Sequence, residues 1–238
     1  NDLFTVKKGV STKYEIAAVT EKLDGSKAAL FENIKGSKFK LVSNLVGSRD
    51  RFAQAIGAKK SDINQKIVRA ISSAKKPKIS TTAKFFENSS RDISILPIVT
   101  HFQNESGPFI TSSIVYTKNQ EKKSQNSSFH RLMPIGKRQF VIRMVEGRDL
   151  HRSFMFAKNH GDDLPIAITV GVHPAISIAC AFQAKWGKNE LEIANSLLNN
   201  KLTLTKCPST GLLVPSTSEI VMEGKILRDK THKEWMVE

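Results

Sequence analysis

The sequence has little of several things. Only two of its 238 residues are cysteine, Cys180 and Cys207. Two thiols cannot build a disulfide scaffold, and without a CxxC pair there is no structural zinc site of that kind. They are expected as free thiols of a reducing cytosol, which places the chain in the cytoplasm. No run of about eighteen apolar residues occurs, so nothing in the sequence reads as a membrane-spanning helix. Residues Asn1 to Gly9 carry no apolar core of a secretory signal. Two Tyr and two Trp accompany thirteen Phe, which is thin material for stacking single-stranded bases. GxGxxG, Walker A, HExxH and GxSxG are all missing, which weakens NAD, P-loop, zincin and α/β-hydrolase readings. Acidic residues are scarce as well. Twenty-two Asp and Glu face thirty-seven Lys and Arg, a formal net charge of +15.

What is present reads as an ordinary folding chain. With 39% hydrophobic and 25% charged residues it can bury a real core at this length. The positive surplus implies an anionic partner: nucleic acid, acidic lipid or a phosphorylated small molecule. The charge is spread in short runs, at Lys7-Lys8, Lys59-Lys60, Lys75-Lys76 with Lys78, Lys122-Lys123 and Lys137-Arg138. Such runs solvate a surface more readily than they form a binding arm.

Apolar spacing predicts helices over Lys13–Glu21, Arg49–Ile56 and Ile63–Ala74, the last opened by Ser61-Asp62 as a cap. Ala28–Phe31 and Phe39–Val42 read as short strands. Lys75–Lys84, with Pro77, reads as a loop. The second half has a different texture. Ser112–Tyr116, Gln139–Arg143, Ile166–Val170, Leu202–Thr205 and Glu219–Ile226 are strand candidates between polar, Gly- or Pro-bearing loops. Asp149–His160 and Asn189–Leu198 are helical. Gln120–Ser128 is polar enough to be a mobile connection. A small α/β unit followed by a sheet-dominated domain with inserted helices fits this pattern.

Four clusters carry chemistry. Asn126-Ser127-Ser128-Phe129-His130-Arg131 precedes a strand, and Arg131 can clamp a phosphate or carboxylate bidentately. Glu190-Leu191-Glu192 opens a helix. The helix dipole accounts for both acids, and a carboxylate together with Asn126 can alternatively hold a hard divalent cation through oxygen. Glu219, Val221 and Glu223 share one strand face, so two carboxylates stand where acid–base work is conceivable, or where a half-solvated strand edge is. His173 sits in the turn Gly171-Val172-His173-Pro174, where turn polarity explains it without any catalysis.

Together these segments resemble one family, the UbiD-like decarboxylases that use prenylated flavin mononucleotide. Ala29 to Gly36 resembles its early "LLFEN.KG" stretch. Pro97-Ile98 followed by Gly107 to Thr111 resembles its approach to the cofactor. Asn126 to Arg131 matches its Asn-four-residues-Arg motif. Pro165 to Pro174 resembles "PVAVALGADPA", Glu190 to Ala194 resembles "EYEFA", and Val214 to Gly224 resembles "VPASAEIVLEG". The order and spacing of all six agree over nearly the whole chain. The wording of Ile142 to Arg148 and of Glu15 to Ala18 is most similar to the archaeal branch, which includes the decarboxylase of an anhydromevalonate phosphate.

The resemblance implies an α+β fold, with a small N-terminal α/β domain over 1–105 and a flavin-binding split β-barrel domain over 106–238. Family members are longer, and the C-terminal domain that assists oligomerisation would be missing from this sequence. The implied reaction is reversible non-oxidative decarboxylation of an α,β-unsaturated, optionally phosphorylated, carboxylic acid with prenylated FMN. Arg131 and Glu238 take catalytic positions, and Asn126, Ser127, Ser128, Phe129, His130, Arg131 and Glu190 line the cofactor. Asn126 and Glu190 take metal positions for Mn2+ or Mg2+, with K+ as a further ion. The metal-binding His of several members has no clear counterpart: its place falls near Glu146-Gly147, and His151 lies just beyond. The full-length protein is expected as a homo-oligomer acting on a small carboxylic acid, without nucleic acid or a membrane span. A flavin-binding accessory without decarboxylase activity and a basic nucleic-acid-binding module stand as rival readings.

Overall fold

The computed structural model describes residues 2–182 and 184–233. In chain order its first elements are β1 (Leu3–Val6), α1 (Glu15–Lys22), β2 (Ala28–Phe31), β3 (Leu41–Ser43), α2 (Arg49–Ala55), α3 (Ile63–Ser72) and β4 (Lys78–Ser80). Then follow β5 (Ile114–Asn119), β6 (Ser124–Phe129), β7 (Leu132–Pro134), β8 (Phe140–Ile142) and α4 (Asp149–Asn159). The last are β9 (Leu164–Val170), α5 (Pro174–Ala181), α6 (Glu190–Leu197), β10 (Thr203–Lys206), β11 (Leu213–Pro215) and β12 (Ile220–Ile226).

The mixture of helix and strand is as expected, but the split β-barrel is not there. Among the described residues the strands form separate open sheets, ordered β1-β2-β3, β11-β10-β4, β12-β9-β5-β6 and β7-β8. The central one runs antiparallel throughout and ends on β12 and β6. Helices bury both of its faces. Val115, Ile166 and Ile168 pack with Leu150 and Ala157 of α4, while Ile114, Tyr116 and Ala167 pack with α5 and α6. With both faces covered by helices, curling and closure are not needed to bury the apolar side chains. Tyr116 is fully buried and its hydroxyl meets Thr169 Oγ1 at 3.0 Å, so the ring adds apolar area without an orphaned polar tip.

Two segments depart from their expected form. Gln120–Ser128 is mostly not a loose connection, because Ser124–Phe129 pairs along its length with β5. Lys78–Ser80 lies in the segment expected as a loop, yet it pairs in parallel with Thr203–Thr205. The cap of α3 also differs. Asp62 occupies the cap position but makes no capping bond, and its carboxylate accepts from the Ser61 hydroxyl at 2.6 Å.

Asn195 of α6, 1% exposed, ties distant parts of the chain together. Its Nδ2 donates to the Lys75 and Lys76 carbonyls at 3.0 and 3.3 Å, and its Oδ1 accepts the Leu202 N–H at 3.0 Å. A further core, around Ile16, Phe31, Ile34 and Val99, sits under β2 and α1.

Candidate active site

The candidate residues converge on β6 and the two helices beside it. In an antiparallel pair directly opposed residues share a face. Asn126 opposes Thr117 and Ser128 opposes Val115, which lies in the core shared with α4. Asn126 and Ser128 therefore look toward α4. Ser127 opposes Tyr116 and looks toward α5 and α6.

A hydrogen-bonded line runs along the α4 side. Asn126 Nδ2 donates to Ser128 Oγ at 3.1 Å, and Ser128 Oγ meets His130 Nε2 at 3.0 Å. His130 Nδ1 lies 3.1 Å from the Arg143 carbonyl, an acceptor only, so the proton sits on Nδ1 and Nε2 accepts from Ser128. Burial holds the His130 pKa below its ordinary value, against the opposing pull of the Arg143 carbonyl, which keeps the imidazole neutral. The Ser113 hydroxyl donates to the His130 carbonyl and pins the end of the strand. With Nδ2 engaged, Oδ1 is the Asn126 atom able to meet a cation.

Arg131 follows at once. Its neighbour Leu132 exchanges backbone bonds with Ile110, 2.9 Å one way and 3.1 Å the other. That bridge brings Phe109 under the guanidinium, whose carbon stands 5.2 Å from the ring centroid. A guanidinium over a ring face makes a cation–π contact. Arg131 and Phe129 are both exposed, so this end of β6 faces outward.

Glu190 closes the open edge of β6. Asn189 caps α6 by accepting the Leu191 N–H at 3.0 Å, which places Glu190 as the first helical residue. Glu190 is 4% exposed, and its Oε2 accepts the Ser127 N–H at 2.8 Å. The dipole reading of the paired acids therefore holds for Glu192 and understates Glu190, which is buried against a strand. Burial pushes the Glu190 carboxyl up to about 7; the N–H groups of Glu190 and Ser127 oppose this, and the Asp149 carboxylate adds to it. Burial also raises Asp149, against the pull of Arg152 and Arg148.

The remaining candidates have structural explanations. Glu223 Oε2 accepts from the Ser209 and Thr210 N–H groups and the Thr210 hydroxyl at 2.9, 2.7 and 2.9 Å, anchoring a turn. His173 caps α5, its Nδ1 accepting the Ala175 N–H at 3.1 Å. Glu219 packs over Gly171, where φ is +72° and an added Cβ would come within 2.5 Å of the carboxylate. His151 turns to the bend before α4, its Nδ1 accepting the Gly147 N–H at 3.3 Å. Glu238 lies outside the described residues. Among the described residues no three His, Cys, Asp or Glu side chains gather as a metal cluster. Sequence reasoning passed over Asp149, whose place in the first turn of α4 looks like ordinary dipole matching.

Family comparison supplies the remaining evidence. Residues 72–238 match the 3-octaprenyl-4-hydroxybenzoate carboxy-lyase Rift-related domain, and residues 1–71 match the N-terminal domain of the same enzymes. The fold is similar to the UbiD-class enzyme HmfF from Pelotomaculum thermopropionicum, in an evolved dimeric form complexed with prFMN. The TM-score is 0.90 with 34% identity, over 95% of this chain and 54% of that one. It is also similar to vanillic acid decarboxylase of Sedimentibacter hydroxybenzoicus in its closed form, with a TM-score of 0.88 and 25% identity over 94% and 52% of the two chains. An anhydromevalonate phosphate decarboxylase of Methanothermobacter thermautotrophicus is 29% identical over 178 residues, 75% of this chain and 42% of that protein. The chain thus spans about half the length, or less, of these relatives. With the two family models meeting at residues 71 and 72 and reaching from end to end, the chain belongs to the UbiD family.

Proposed function

We propose that the full-length protein catalyses non-oxidative decarboxylation of an α,β-unsaturated carboxylic acid with prenylated FMN. The observation that carries this is the segment Asn126–Arg131, the end of β6 and the two residues after it, in a fold similar over 95% of the chain to an enzyme complexed with prFMN. At one end of the segment stands the Asn126 amide, and at the other the Arg131 guanidinium lies over the Phe109 ring. Bound there, prenylated FMN supplies the electron sink that no side chain offers.

The chain's own residues do the rest. The Asn126 Oδ1 and Glu190 carboxylate fit a hard divalent ion, Mn2+ or Mg2+, that would tie down the cofactor phosphate. The fit rests on Glu190 itself. A carboxylate 4% exposed, with another acid in electrostatic range, carries a desolvation cost that its N–H partners offset only in part and that a cation reduces. His130, neutral and hydrogen-bonded at both ring nitrogens, fixes Ser128 and hence Asn126. Arg131 orients the substrate carboxylate through a bidentate pair. Glu238 is proposed as a catalytic acid that Arg131 tunes electrostatically, with a second carboxyl group supplying the proton to carbon after carbon dioxide leaves. The positive surplus of the chain, and relatives named for a phosphorylated acid, favour a substrate that carries a phosphate as well.

The test is a flavin assay and a turnover assay on the full-length protein. Arg131→Ala is expected to retain flavin, read by absorbance and mass, while carbon dioxide release falls by about 10²- to 10⁴-fold. Turnover of Arg131→Ala at the parent rate would overturn the assignment.

A further inference from the structure

We infer that the cleft between the outer face of α4 and the loop before α6 is a second binding site, and that it takes a nucleotide: a flat base joined to a phosphate. None of its lining residues belongs to the Asn126–Arg131 segment.

The two faces of α4 differ in character. Leu150, Ser153 and Ala157 are its buried residues. Arg152, Met155, Phe156 and Asn159, spaced at i, i+3, i+4 and i+7, share the other face and line a cleft of about 420 Å3. That size lies within the range of roughly 300–1,000 Å3 found for small-molecule sites. The rest of the lining comes largely from loops. Trp186 belongs to the segment between α5 and α6, and Glu121 to the turn between β5 and β6. The two loops meet at Gly187, where φ is +89° and an added Cβ would stand 2.8 Å from Lys122 Cγ. The positive φ and the close approach both favour glycine there.

Flat surfaces dominate the cleft. The Arg152 guanidinium carbon stands 5.2 Å from the Trp186 ring centroid. The Phe156 and His160 rings stack with their centroids 4.3 Å apart. Met155, 37% exposed, adds a polarizable thioether. Bases stack on aromatic rings and on guanidinium planes of this kind.

The polar groups select among flat ligands. Arg152 and Glu121 line the same cleft and are both exposed, yet among the described residues neither forms an ion pair. A donor and an acceptor are therefore left for a guest. His160 Nδ1 lies 2.8 Å from the Phe156 carbonyl, an acceptor only, so the proton sits on Nδ1 and Nε2 is left to accept. Lys122, Lys123, Lys185 and Lys188, all exposed in the two loops, make the surrounding field positive. A bare phosphate would leave the rings unused. A plain aromatic acid would leave the Glu121 carboxylate facing a second negative charge. A nucleotide uses every group: its amino-bearing base stacks and donates to Glu121 or His160, and its phosphate meets Arg152.

The experiment titrates AMP into the full-length protein and reads binding by calorimetry. Saturable binding at one site is expected. Adenosine, which lacks the phosphate, and ribose phosphate, which lacks the base, should each bind at least tenfold more weakly. Arg152→Ala and Glu121→Gln alter exposed side chains, so folding is expected to survive, and circular dichroism checks that it does. Each should weaken AMP severalfold or more. Trp186→Ala should weaken it at least tenfold, while Trp186→Phe should keep part of the affinity. Asn126→Ala should bind AMP like the parent. If Asn126→Ala loses AMP while Arg152→Ala and Trp186→Ala keep it, the nucleotide sits at the Asn126–Arg131 segment and the assignment is wrong. It is equally wrong if ribose phosphate binds as well as AMP, if a short oligoadenylate binds far more tightly than the mononucleotide, or if the parent binds no AMP.

Discussion

At the scale of single residues, Glu190 is the group with the most consequence. Its folded pKa of about 7 stands above the ordinary carboxyl value of 4.5, with burial as the main cause. The folded protein therefore holds a proton there that the unfolded chain has lost between those values. Stability from this group is complete below about pH 4.5 and declines as pH rises through 7, by about 3 kcal/mol in all. Denaturant titrations of ion-free protein at pH 5 and pH 8 should show that decline, and Glu190→Gln should remove most of it. Equal pH dependence in parent and variant would contradict the buried-acid account. The sequence places Glu190 in a pair of helix-opening acids but cannot show that it is buried. Its burial depends on an N–H contributed by Ser127, 63 residues earlier. Arg131 is different: its residue type and its spacing from Asn126 are both visible in the sequence, and only the Phe109 ring beneath it is not.

At the scale of elements, the site depends on where α6 begins. Asn189 sets that point through its bond to the Leu191 N–H. Asn189→Ala should cost about 1 kcal/mol of stability. It should also loosen Glu190 from the Ser127 N–H and weaken Mn2+ binding to ion-free full-length protein, measured by electron paramagnetic resonance of the free ion, while α5 stays intact. Unchanged ion affinity would show that the helix start is positioned by packing alone. The helices and apolar strands were readable because their side chains repeat with a period. β6 was not, because Ser124, Gln125, Asn126, Ser127 and Ser128 are all polar and carry no period at all. Its strand geometry comes from pairing with β5, whose Ile114, Val115 and Tyr116 supply the apolar signal for both. The strand was hidden because both of its faces carry polar side chains. β4 was hidden for a related reason: it has only three residues, Lys75, Lys76 and Pro77 stand directly before it, and its partner lies far along the chain.

For the whole molecule, composition told correctly of a mixed α and β chain with a sizeable core. It could not tell how the sheets end. The expectation of a barrel failed because whether a sheet closes depends on what covers its faces, and α4, α5 and α6 cover both. The tie at Asn195 belongs to this scale. Asn195→Ala would release the Lys75 and Lys76 carbonyls and leave the buried Leu202 N–H unpaired, an orphan that costs about 1–3 kcal/mol. Limited proteolysis should then cut near residues 73–80 while the central sheet persists; loss of all structure at once would show that β4 cannot open independently. The same tie bears on how the protein is made. Asn195 reaches back 120 residues to Lys75, and Ala53, Ile56, Ile63 and Ala70 share their core with Leu191, Ile193 and Val214. At synthesis rates of about 5–20 residues per second, α2 and α3 wait on the order of ten seconds after leaving the ribosome for the partners that cover them. During that interval their apolar stripe lies open to solvent, so a newborn chain is most exposed to aggregation, and most in need of a chaperone, in its first third.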